Sequence, residues 1–272
     1  MHIKLLDIYR QLPWFKGKLR LGKLLFREAL KKQEWVGFTA HYGLKYDIPN
    51  TKENIGIELL INGIYEKEVV DFLNKHIKNG AIYFDVGANI GSIGLPIIKT
   101  KKLVRYVAFE ASPKVFGYLK KNIEQNDVHD FHIQNNLVHN NSNEKMLFYE
   151  ADLYGKSSLS PTYTNQSIEV TSISLDQFAL DQAIEKIDWL KVDVQGFEWF
   201  VFDGAKQLMT AKKIENILFE NEPWAEDQAN IQRGLAKELV VSMGYELLDL
   251  QGNPWIDTGS EKETMIWARI KR

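Results

Sequence analysis

The 272-residue chain contains no cysteine, so disulfide bonds, thiolate metal sites and a cysteine nucleophile are excluded. Long apolar runs are absent too, because none reaches the roughly 18 residues that a membrane-spanning helix requires. The first residues also lack the apolar core and the small-residue cleavage site of a secretory signal. From these absences we expect a cytoplasmic protein without a transmembrane segment.

Neither sign of charge dominates the composition. The 34 lysines and arginines and the 36 aspartates and glutamates leave a formal net charge of -2 at pH 7. Proteins that bind nucleic acid usually carry a strongly basic surface, so this balance argues against a nucleic-acid partner. The length suits one large α/β domain with extensions, or two small domains.

Basic residues are nevertheless concentrated near the N-terminus, where leucine, tryptophan and phenylalanine are interleaved with them. They are Lys4, Arg10, Lys16, Lys18, Arg20, Lys23, Arg27, Lys31 and Lys32. The pattern favours a surface helix whose apolar face packs on the main domain. The alternative is a basic amphipathic segment that makes peripheral contact with an anionic surface, such as a membrane or an acidic glycan.

From residue 81 onward, apolar runs typical of strands alternate with patterns typical of helices. Strands are predicted at 81–86, 103–109, 131–138, 187–192 and 217–219, with a closing pair at 245–250 and 264–270. Helices are predicted at 64–77, 92–99, 113–124 and 228–243, and Asp176 is expected to cap a further short helix. This order predicts an α/β fold with a doubly wound, mostly parallel sheet of seven strands.

The rest of the chain is predicted to extend this core. Residues 1–62 form an N-terminal helical and β extension, with Pro13 interrupting its helical part. The main domain is expected over residues 63–272. Within it, residues 145–175 show strand chemistry around a polar loop, which predicts a β insertion near the ligand pocket. Residues 154–159 are expected to be the rim of that pocket or a mobile lid.

The stretch from Tyr83 to Gly91 carries the strongest functional signal. A buried strand ends at Asp85, and Gly87 and Gly91 follow four positions apart, before a helical pattern. A glycine at the turn lets the backbone approach a ligand closely. In open parallel sheets the ligand lies outside the carboxyl ends of the strands. Glu110 follows Gly87 by about the twenty residues at which an acid holds the hydroxyls of a ribose.

Two ligands with an adenosine part compete for this turn. A dinucleotide needs its pyrophosphate at the helix N-terminus, usually with a Gly-x-Gly-x-x-Gly motif that this chain lacks. S-adenosylmethionine has no phosphate and carries a sulfonium and an ammonium group, which Asp85 can help to stabilise. The sequence therefore favours S-adenosylmethionine over the alternatives, an NAD-dependent oxidoreductase of Rossmann fold or a non-catalytic nucleotide-binding relative.

Four stretches together resemble the FkbM family of S-adenosylmethionine-dependent methyltransferases. They are Asp85-Val-Gly-Ala-Asn-Ile-Gly91, Phe109-Glu-Ala-Ser-Pro113, Leu175-Asp176 and Leu190-Lys-Val-Asp-Val-Gln-Gly-Phe-Glu198. The resemblance runs from about residue 63 to residue 222 and implies a class I, Rossmann-like methyltransferase fold. It also implies O-methylation of a hydroxyl-bearing acceptor, which we expect to be a carbohydrate or glycoconjugate. The chain departs from the family at Gln195, where the family usually has glutamate.

The resemblance assigns residues to the cofactor site by position. The implied cofactor-binding residues are Asp85, Gly87, Ala88, Asn89 and Gly91 at the turn, Glu110 at the ribose, Ala111, Ser112, Asn136 and Leu137 at the adenine, and Asp193 where donor meets acceptor. Each strand-end acid has a structural alternative, because N-caps and backbone-anchoring acids occupy the same places.

Transfer of the methyl group requires that the acceptor hydroxyl lose its proton. The candidate bases are Asp193, Glu198 and Glu220. Glu198 has a structural alternative as a first-turn acid that complements a helix dipole. A metal route is a further hypothesis, in which Asp193, Glu220 and Asn221 hold Mg²⁺ and the ion lowers the pKa of a bound hydroxyl.

Overall fold

The computed structural model describes residues 2–31, 35–101, 105–259 and 264–271. Its helices are α1 (His2–Gln11), α2 (Lys18–Leu25), α3 (Asn54–Asn62), α4 (Lys67–His76), α5 (Gly94–Thr100), α6 (Pro113–Glu124), α7 (Leu175–Asp181), α8 (Glu198–Asp203), α9 (Lys206–Thr210), α10 (Pro223–Gln228) and α11 (Leu235–Ser242). Its strands are β1 (Trp35–Thr39), β2 (Lys45–Ile48), β3 (Ile82–Val86), β4 (Arg105–Phe109), β5 (Phe131–Gln134), β6 (Leu137–Val138), β7 (Lys145–Tyr149), β8 (Ser167–Ile173), β9 (Ile187–Val192), β10 (Ile214–Asn221), β11 (Tyr245–Leu248) and β12 (Thr264–Ile270). Lys32 and the first two residues of the strand predicted at 103–109 lie outside the described residues.

The central sheet has seven strands in the order β11-β12-β10-β9-β3-β4-β5. The five strands from β10 to β5 run parallel, and β12 is antiparallel to both β10 and β11. This confirms the predicted doubly wound, mostly parallel α/β sheet. The chain adds β4 and β5 on one side of β3 and then returns to place β9 on the other side. That reversal creates the crevice in which such sheets bind their ligands.

Both faces of the sheet are buried because the strand sequences are apolar at successive positions. Tyr83 and Tyr106 are buried in one layer of the core, with their ring centroids 5.6 Å apart. Phe84 and Phe109 face the opposite layer, where Phe178 of α7 meets their rings edge-on at 5.8 Å and 4.9 Å. Successive side chains of β3 and β4 point to opposite faces of the sheet, so each strand contributes side chains to both layers of the core.

The strand predicted at 131–138 is two strands in two different sheets. β5 pairs with β4, whereas β6 pairs in parallel with β8 in a three-stranded sheet of order β6-β8-β7. Asn135 lies at the break, where its Nδ2 donates to the carbonyl oxygens of Glu110 at 2.8 Å and Ala111 at 3.0 Å. These bonds hold the chain across the carboxyl end of β4 and direct β6 away from the central sheet. β7 and β8 lie within residues 145–175, where the sequence predicts a β insertion.

Two helices begin differently from the sequence prediction. Ser174, not Asp176, caps α7, because the Ser174 side chain accepts from the Gln177 N–H at 3.3 Å. Asp176 instead accepts from the N–H groups of Gln207 and Leu208 at the start of α9. The helix predicted at 64–77 begins only at Lys67, since Glu66 has a left-handed backbone with φ of 42°.

The N-terminal elements pack on the main sheet domain through α3 and α6. α1 and α2 both contact α3, a helix that the periodicity did not predict. The β1–β2 pair is held by Asn122 of α6 and by Asn126 just after that helix. Their Oδ1 atoms accept from the N–H groups of Asp47 at 2.7 Å and Lys45 at 2.8 Å, respectively. Within the described ranges, no helix has the length and apolar character needed to span a membrane.

Candidate active site

A cavity of about 460 Å³ opens at the carboxyl ends of β3, β4, β9 and β10. The sequence-predicted residues that line it are Gly87, Ala88, Asn89, Glu110, Ala111, Asn136, Leu137, Asp193 and Glu220. Four other predicted residues do not line it: Asp85, Gly91, Ser112 and Glu198. The structure therefore brings most of the predicted set together and places the remaining four behind the cavity wall.

Gly87 forms the floor of the cavity between two strand ends. Its φ is +71°, and a Cβ built on it would lie 1.9 Å from the carbonyl oxygen of Asp193. The turn is fixed by the N–H groups of Gly87 and Ala88, which both donate to the Phe109 carbonyl at 3.0 Å and 2.9 Å. Only glycine combines this backbone conformation with so close an approach of the neighbouring strand.

Glu110 lies at the end of β4 with its carboxylate in the cavity wall. Its Oε2 accepts from the N–H of Asn89 at 3.0 Å and its Oε1 accepts from the N–H of Ser112 at 2.9 Å. Burial raises the pKa of Glu110 to about 7 even though these two N–H groups favour the charged form. Ser112 has a structural part here, since its side chain also caps α6 through the Val115 N–H.

Asp85 is fully buried beneath the cavity and pairs with a lysine from the neighbouring strand. The Lys191 Nζ lies 3.2 Å from Asp85 Oδ1 and 3.5 Å from Asp193 Oδ2. The Tyr106 hydroxyl donates to Asp85 Oδ2 at 3.0 Å. Burial alone would lower the pKa of Lys191, but Asp85 and Asp193 outweigh it and raise that pKa. Lys191 therefore stays a cation that links the buried Asp85 to Asp193 in the cavity.

Gln195 organises the polar end of the cavity. Its Nε2 donates to Glu220 Oε2 at 3.0 Å and lies 3.4 Å from Asp193 Oδ1. Its Oε1 accepts from Lys156 Nζ at 2.8 Å, and that ammonium also lies 3.7 Å from Glu222 Oε1. An amide can serve two carboxylates and one ammonium at once, because it has both donors and an acceptor. A glutamate at this position would instead put a third carboxylate beside Asp193 and Glu220.

Glu198 closes the loop between β9 and α8 and has no surface in the cavity. Its Oε1 accepts from the N–H groups of Val194 at 3.1 Å and Gly196 at 3.3 Å. The side chain is only 3% exposed, and burial raises its pKa to about 8. These contacts give Glu198 a structural part, because its side chain holds the loop between β9 and α8.

Glu198→Gln tests that structural part through the pH dependence of stability. The folded protein holds the Glu198 proton up to a pKa of about 8, whereas an unfolded glutamate releases it near 4.3. Between these values the folded state binds more protons, so Glu198 makes the wild type lose stability as pH rises. Glutamine cannot ionise but keeps an Oε1 acceptor for both N–H groups. We expect the stability of Glu198→Gln relative to wild type to increase between about pH 5 and pH 8.5 in urea unfolding. A constant difference across this range would contradict the buried, protonated state.

The proposed metal ligands do not converge on one point. Glu220 and Asn221 are successive residues of β10, so their side chains project from opposite faces of the sheet. Glu220 lines the cavity and Asn221 does not. Across the described ranges, no group of three or more histidine, cysteine, aspartate or glutamate side chains is placed to hold a metal ion. The geometry gives the Mg²⁺ hypothesis no support.

The segment predicted as rim or lid lies over the cavity, and residues 153–159 line it. The Gly155 N–H donates to both carboxylate oxygens of Glu53, at 2.9 Å and 3.0 Å. Asn89 Nδ2 donates to the Tyr154 carbonyl at 3.3 Å. Burial raises the pKa of Glu53 to about 7. This segment is thus tied to Glu53, just before α3, on one side and to the glycine turn on the other.

Polar cavity residues that escaped the sequence prediction include Glu53 and Tyr65. Burial raises the pKa of Tyr65, and Glu66, Asp193 and Glu220 add to that effect. Neither Glu53 nor Tyr65 follows a strand of the central sheet, so the rule that located the strand-end residues could not find them. The contact between Glu53 and Gly155 joins positions 102 residues apart.

Comparison with known proteins gives similarities of sequence and of fold. A family model described as the Methyltransferase FkbM domain matches residues 85–247. The crystal structure of methyltransferase FkbM from Methylobacillus flagellatus is similar, with 13% identity and a TM-score of 0.50 over 79% of this chain and 52% of that chain. This chain therefore spans about half the length of that relative. No curated protein sequence matches it.

Weaker similarity extends to other methyltransferase structures. M. capricolum TrmK, solved with S-adenosyl-homocysteine, shows 14% identity and a TM-score of 0.46 over 75% of this chain and 68% of that chain. A TehB-like methyltransferase from Corynebacterium glutamicum shows 12% identity and a TM-score of 0.43 over 79% of this chain and 93% of that chain. The FkbM family model covers more than half of the sequence, including the glycine turn after β3 and all of β4, β9 and β10, and the chain therefore belongs to the FkbM family of S-adenosylmethionine-dependent methyltransferases.

Proposed function

We propose that the protein transfers a methyl group from S-adenosylmethionine to a hydroxyl of a sugar or glycoconjugate. The observation that carries this proposal is the single cavity that joins Glu110 at one strand end to Asp193 at another. In this proposal the first carboxylate holds the ribose of the donor, and the second faces the acceptor. Between them, Gly87 leaves room for the donor because it has no side chain.

The residues present fit S-adenosylmethionine better than a dinucleotide. The acids that line the cavity are Glu53, Glu110, Asp193 and Glu220, and the bases are Lys52, Lys156 and Lys191. Lys191 is paired with Asp85, and Lys156 is bound to Gln195. A pyrophosphate would meet several carboxylates here, whereas a sulfonium and an ammonium group would be stabilised by them. Asn136, Leu137 and Ala111 form the wall that we assign to the adenine.

Asp193 is our candidate for the general base. It is 27% exposed at the cavity, and it is held from two sides by Lys191 and Gln195. S-adenosylmethionine supplies a methyl group on a sulfonium, which is already a good leaving group. Asp193 would accept the proton of the acceptor hydroxyl. At the same time the oxygen of that hydroxyl would bond to the methyl carbon, and the bond between sulfur and methyl would break, leaving S-adenosylhomocysteine. Glu220 is a second carboxylate in reach, but Gln195 already donates to its Oε2.

The acceptor end of the cavity is lined by groups suited to hydroxyls. Tyr65, Glu220 and Gln195 offer donors and acceptors there, and Glu222 lies behind Lys156. Such a mixture can bind the several hydroxyls of a sugar. The same acids would repel a phosphate, so we propose a neutral carbohydrate acceptor and no nucleic acid.

Glu110→Ala should weaken S-adenosylhomocysteine binding by about 30- to 100-fold, the loss expected from two charge-assisted hydrogen bonds. Titration calorimetry measures the change, and Glu110→Gln serves as a second variant that keeps one acceptor oxygen. The matched control is Glu124→Ala, which removes an exposed carboxylate from the end of α6. If Glu110→Ala, shown to be folded by its thermal transition, binds as the wild type does, the ribose assignment is wrong.

The function itself is tested by transfer of labelled methyl from S-adenosylmethionine to a panel of oligosaccharides and glycoconjugates. We expect the label in a methyl ether, identified by mass spectrometry and NMR after isolation of the product. Label on a nitrogen, or transfer to RNA and to no carbohydrate, would contradict the proposal.

A further inference from the structure

The first 25 residues expose an unusual amount of apolar surface. Eight large apolar side chains between residues 5 and 25 are exposed, against nine in all the other described residues. They are Leu5, Ile8, Leu12, Trp14, Phe15, Leu21, Leu24 and Leu25. Soluble proteins seldom gather so many exposed apolar side chains in one segment unless the surface binds something.

These residues form a second apolar face on each helix. The inner face of α1 is buried through Leu6 and Tyr9, and Gly22 lets α2 approach Ile61 of α3 and the Tyr9 ring closely. Packing on the main domain therefore accounts for the inner faces, as the sequence predicted. Residues 5 and 8 lie on the outside of α1, with residue 12 just after its end, and residues 21, 24 and 25 lie on the outside of α2.

The same segment holds a strong excess of positive charge. Residues 1–31 contain eight lysines and arginines and two acidic residues, a net charge of +6, so the rest of the chain carries -8. Arg10 and Lys18 are buried, where the Lys18 ammonium caps the end of α1 by donating to the carbonyls of Arg10 and Leu12. The exposed basic side chains are Lys4, Lys16, Arg20, Arg27 and Lys31.

We propose that α1, α2 and the loop between them dock on an anionic lipid surface. Apolar stripes beside lysines and arginines are the pattern of helices that lie in the plane of a membrane interface. Trp14 in the connecting loop is of the aromatic type enriched at that depth, and Phe15 beside it is of a type found on the apolar face of interfacial helices. The charge argues against a second copy of the chain as the occupant, because two copies of this positively charged surface would repel each other.

α3 links this surface to the cavity. Its C-terminal half receives α1 and α2, with the Leu60 carbonyl accepting from Arg10 Nε at 2.7 Å. Its first residues, Asn54 and Ile55, line the cavity. A nine-residue helix is about 14 Å long, so docking would hold the cavity near the membrane surface.

The test is co-sedimentation of the full chain with vesicles of phosphatidylcholine alone or mixed with phosphatidylserine. We expect binding to the mixed vesicles, at least about tenfold weaker binding to phosphatidylcholine alone, and loss of binding at high salt. Ile8→Gln with Leu24→Gln should weaken binding at least about tenfold, since these side chains are 63% and 74% exposed and support no core.

The matched control is Leu180→Gln with Ile256→Gln, which changes two side chains that are each 75% exposed elsewhere. The control should bind as the wild type does, and thermal transitions should show that all variants are folded. Absence of binding to mixed vesicles overturns the proposal, as does equal binding to both vesicle types. A third outcome is that the wild type does not bind vesicles but forms a dimer, and that the double variant Ile8→Gln with Leu24→Gln is monomeric. This outcome would show that the surface is an interface between two copies of the chain instead.

Discussion

Gly87→Ala should abolish measurable S-adenosylhomocysteine binding and lower the free energy of unfolding by about 3 kcal/mol. The added Cβ would lie 1.9 Å from the Asp193 carbonyl oxygen, and the φ of +71° disfavours any L side chain. Relief requires that β3 and β9 separate at their carboxyl ends, where the Asp193 N–H donates to the Val86 carbonyl at 3.1 Å. The strand ends that form the floor of the cavity would then no longer meet. Urea unfolding and titration calorimetry measure the two effects.

The control for this variant is Gly117→Ala on the exposed side of α6. No atom lies within 4 Å of a Cβ built there, and the backbone is helical. That substitution should leave binding unchanged and stabilise the protein by up to about 1 kcal/mol, as alanine does in place of glycine in a helix. Equal behaviour of the two variants would show that the approach of β9 to Gly87 is not what shapes the cavity.

Asp193→Asn should lower kcat by about 100- to 10,000-fold, the range of a general base, while the Kd for S-adenosylhomocysteine changes little. Asparagine has the size of aspartate and keeps an oxygen for Lys191 or Gln195, but it cannot take the proton of the acceptor hydroxyl. The measurement is steady-state methyl transfer to the acceptor that the labelled assay identifies, together with calorimetry.

Glu220→Gln provides the comparison for Asp193→Asn because both carboxylates accept from Gln195 Nε2. We expect Glu220→Gln to cost less than tenfold in kcat, a smaller loss than that of a general base. A larger loss in Glu220→Gln than in Asp193→Asn would move the base to Glu220. A loss of donor affinity in Asp193→Asn equal to its loss of kcat would show that Asp193 binds the donor and is not the base.

Elements set by local patterns could be predicted from the sequence. Helix α6 begins and ends where it was predicted, because Pro113 suits its first turn and Ser112 caps it. Strand β9 also coincides with its prediction, since its apolar run has clear ends. The rule that parallel strands present their carboxyl ends at one edge then located Gly87, Glu110, Asp193 and Glu220 together.

Features that depend on distant parts of the chain could not be predicted. The structure pairs Asp85 with Lys191, more than 100 residues away, and so turns a suspected ligand contact into a buried ion pair. Glu53 enters the cavity because it directly precedes α3 and lies against Gly155. The sequence of α3 has no clear amphipathic period, so neither the helix nor this contact could be predicted. Glu198 points to its own loop rather than to the cavity, and only the path of residues 194–196 decides that direction.

Calorimetric titration of the wild-type chain with S-adenosylhomocysteine and, separately, with NAD tests the central claim most directly. The geometry of Gly87, Glu110 and Asp193 predicts one saturable site for S-adenosylhomocysteine and no binding of NAD. Binding of NAD without binding of S-adenosylhomocysteine would contradict the account.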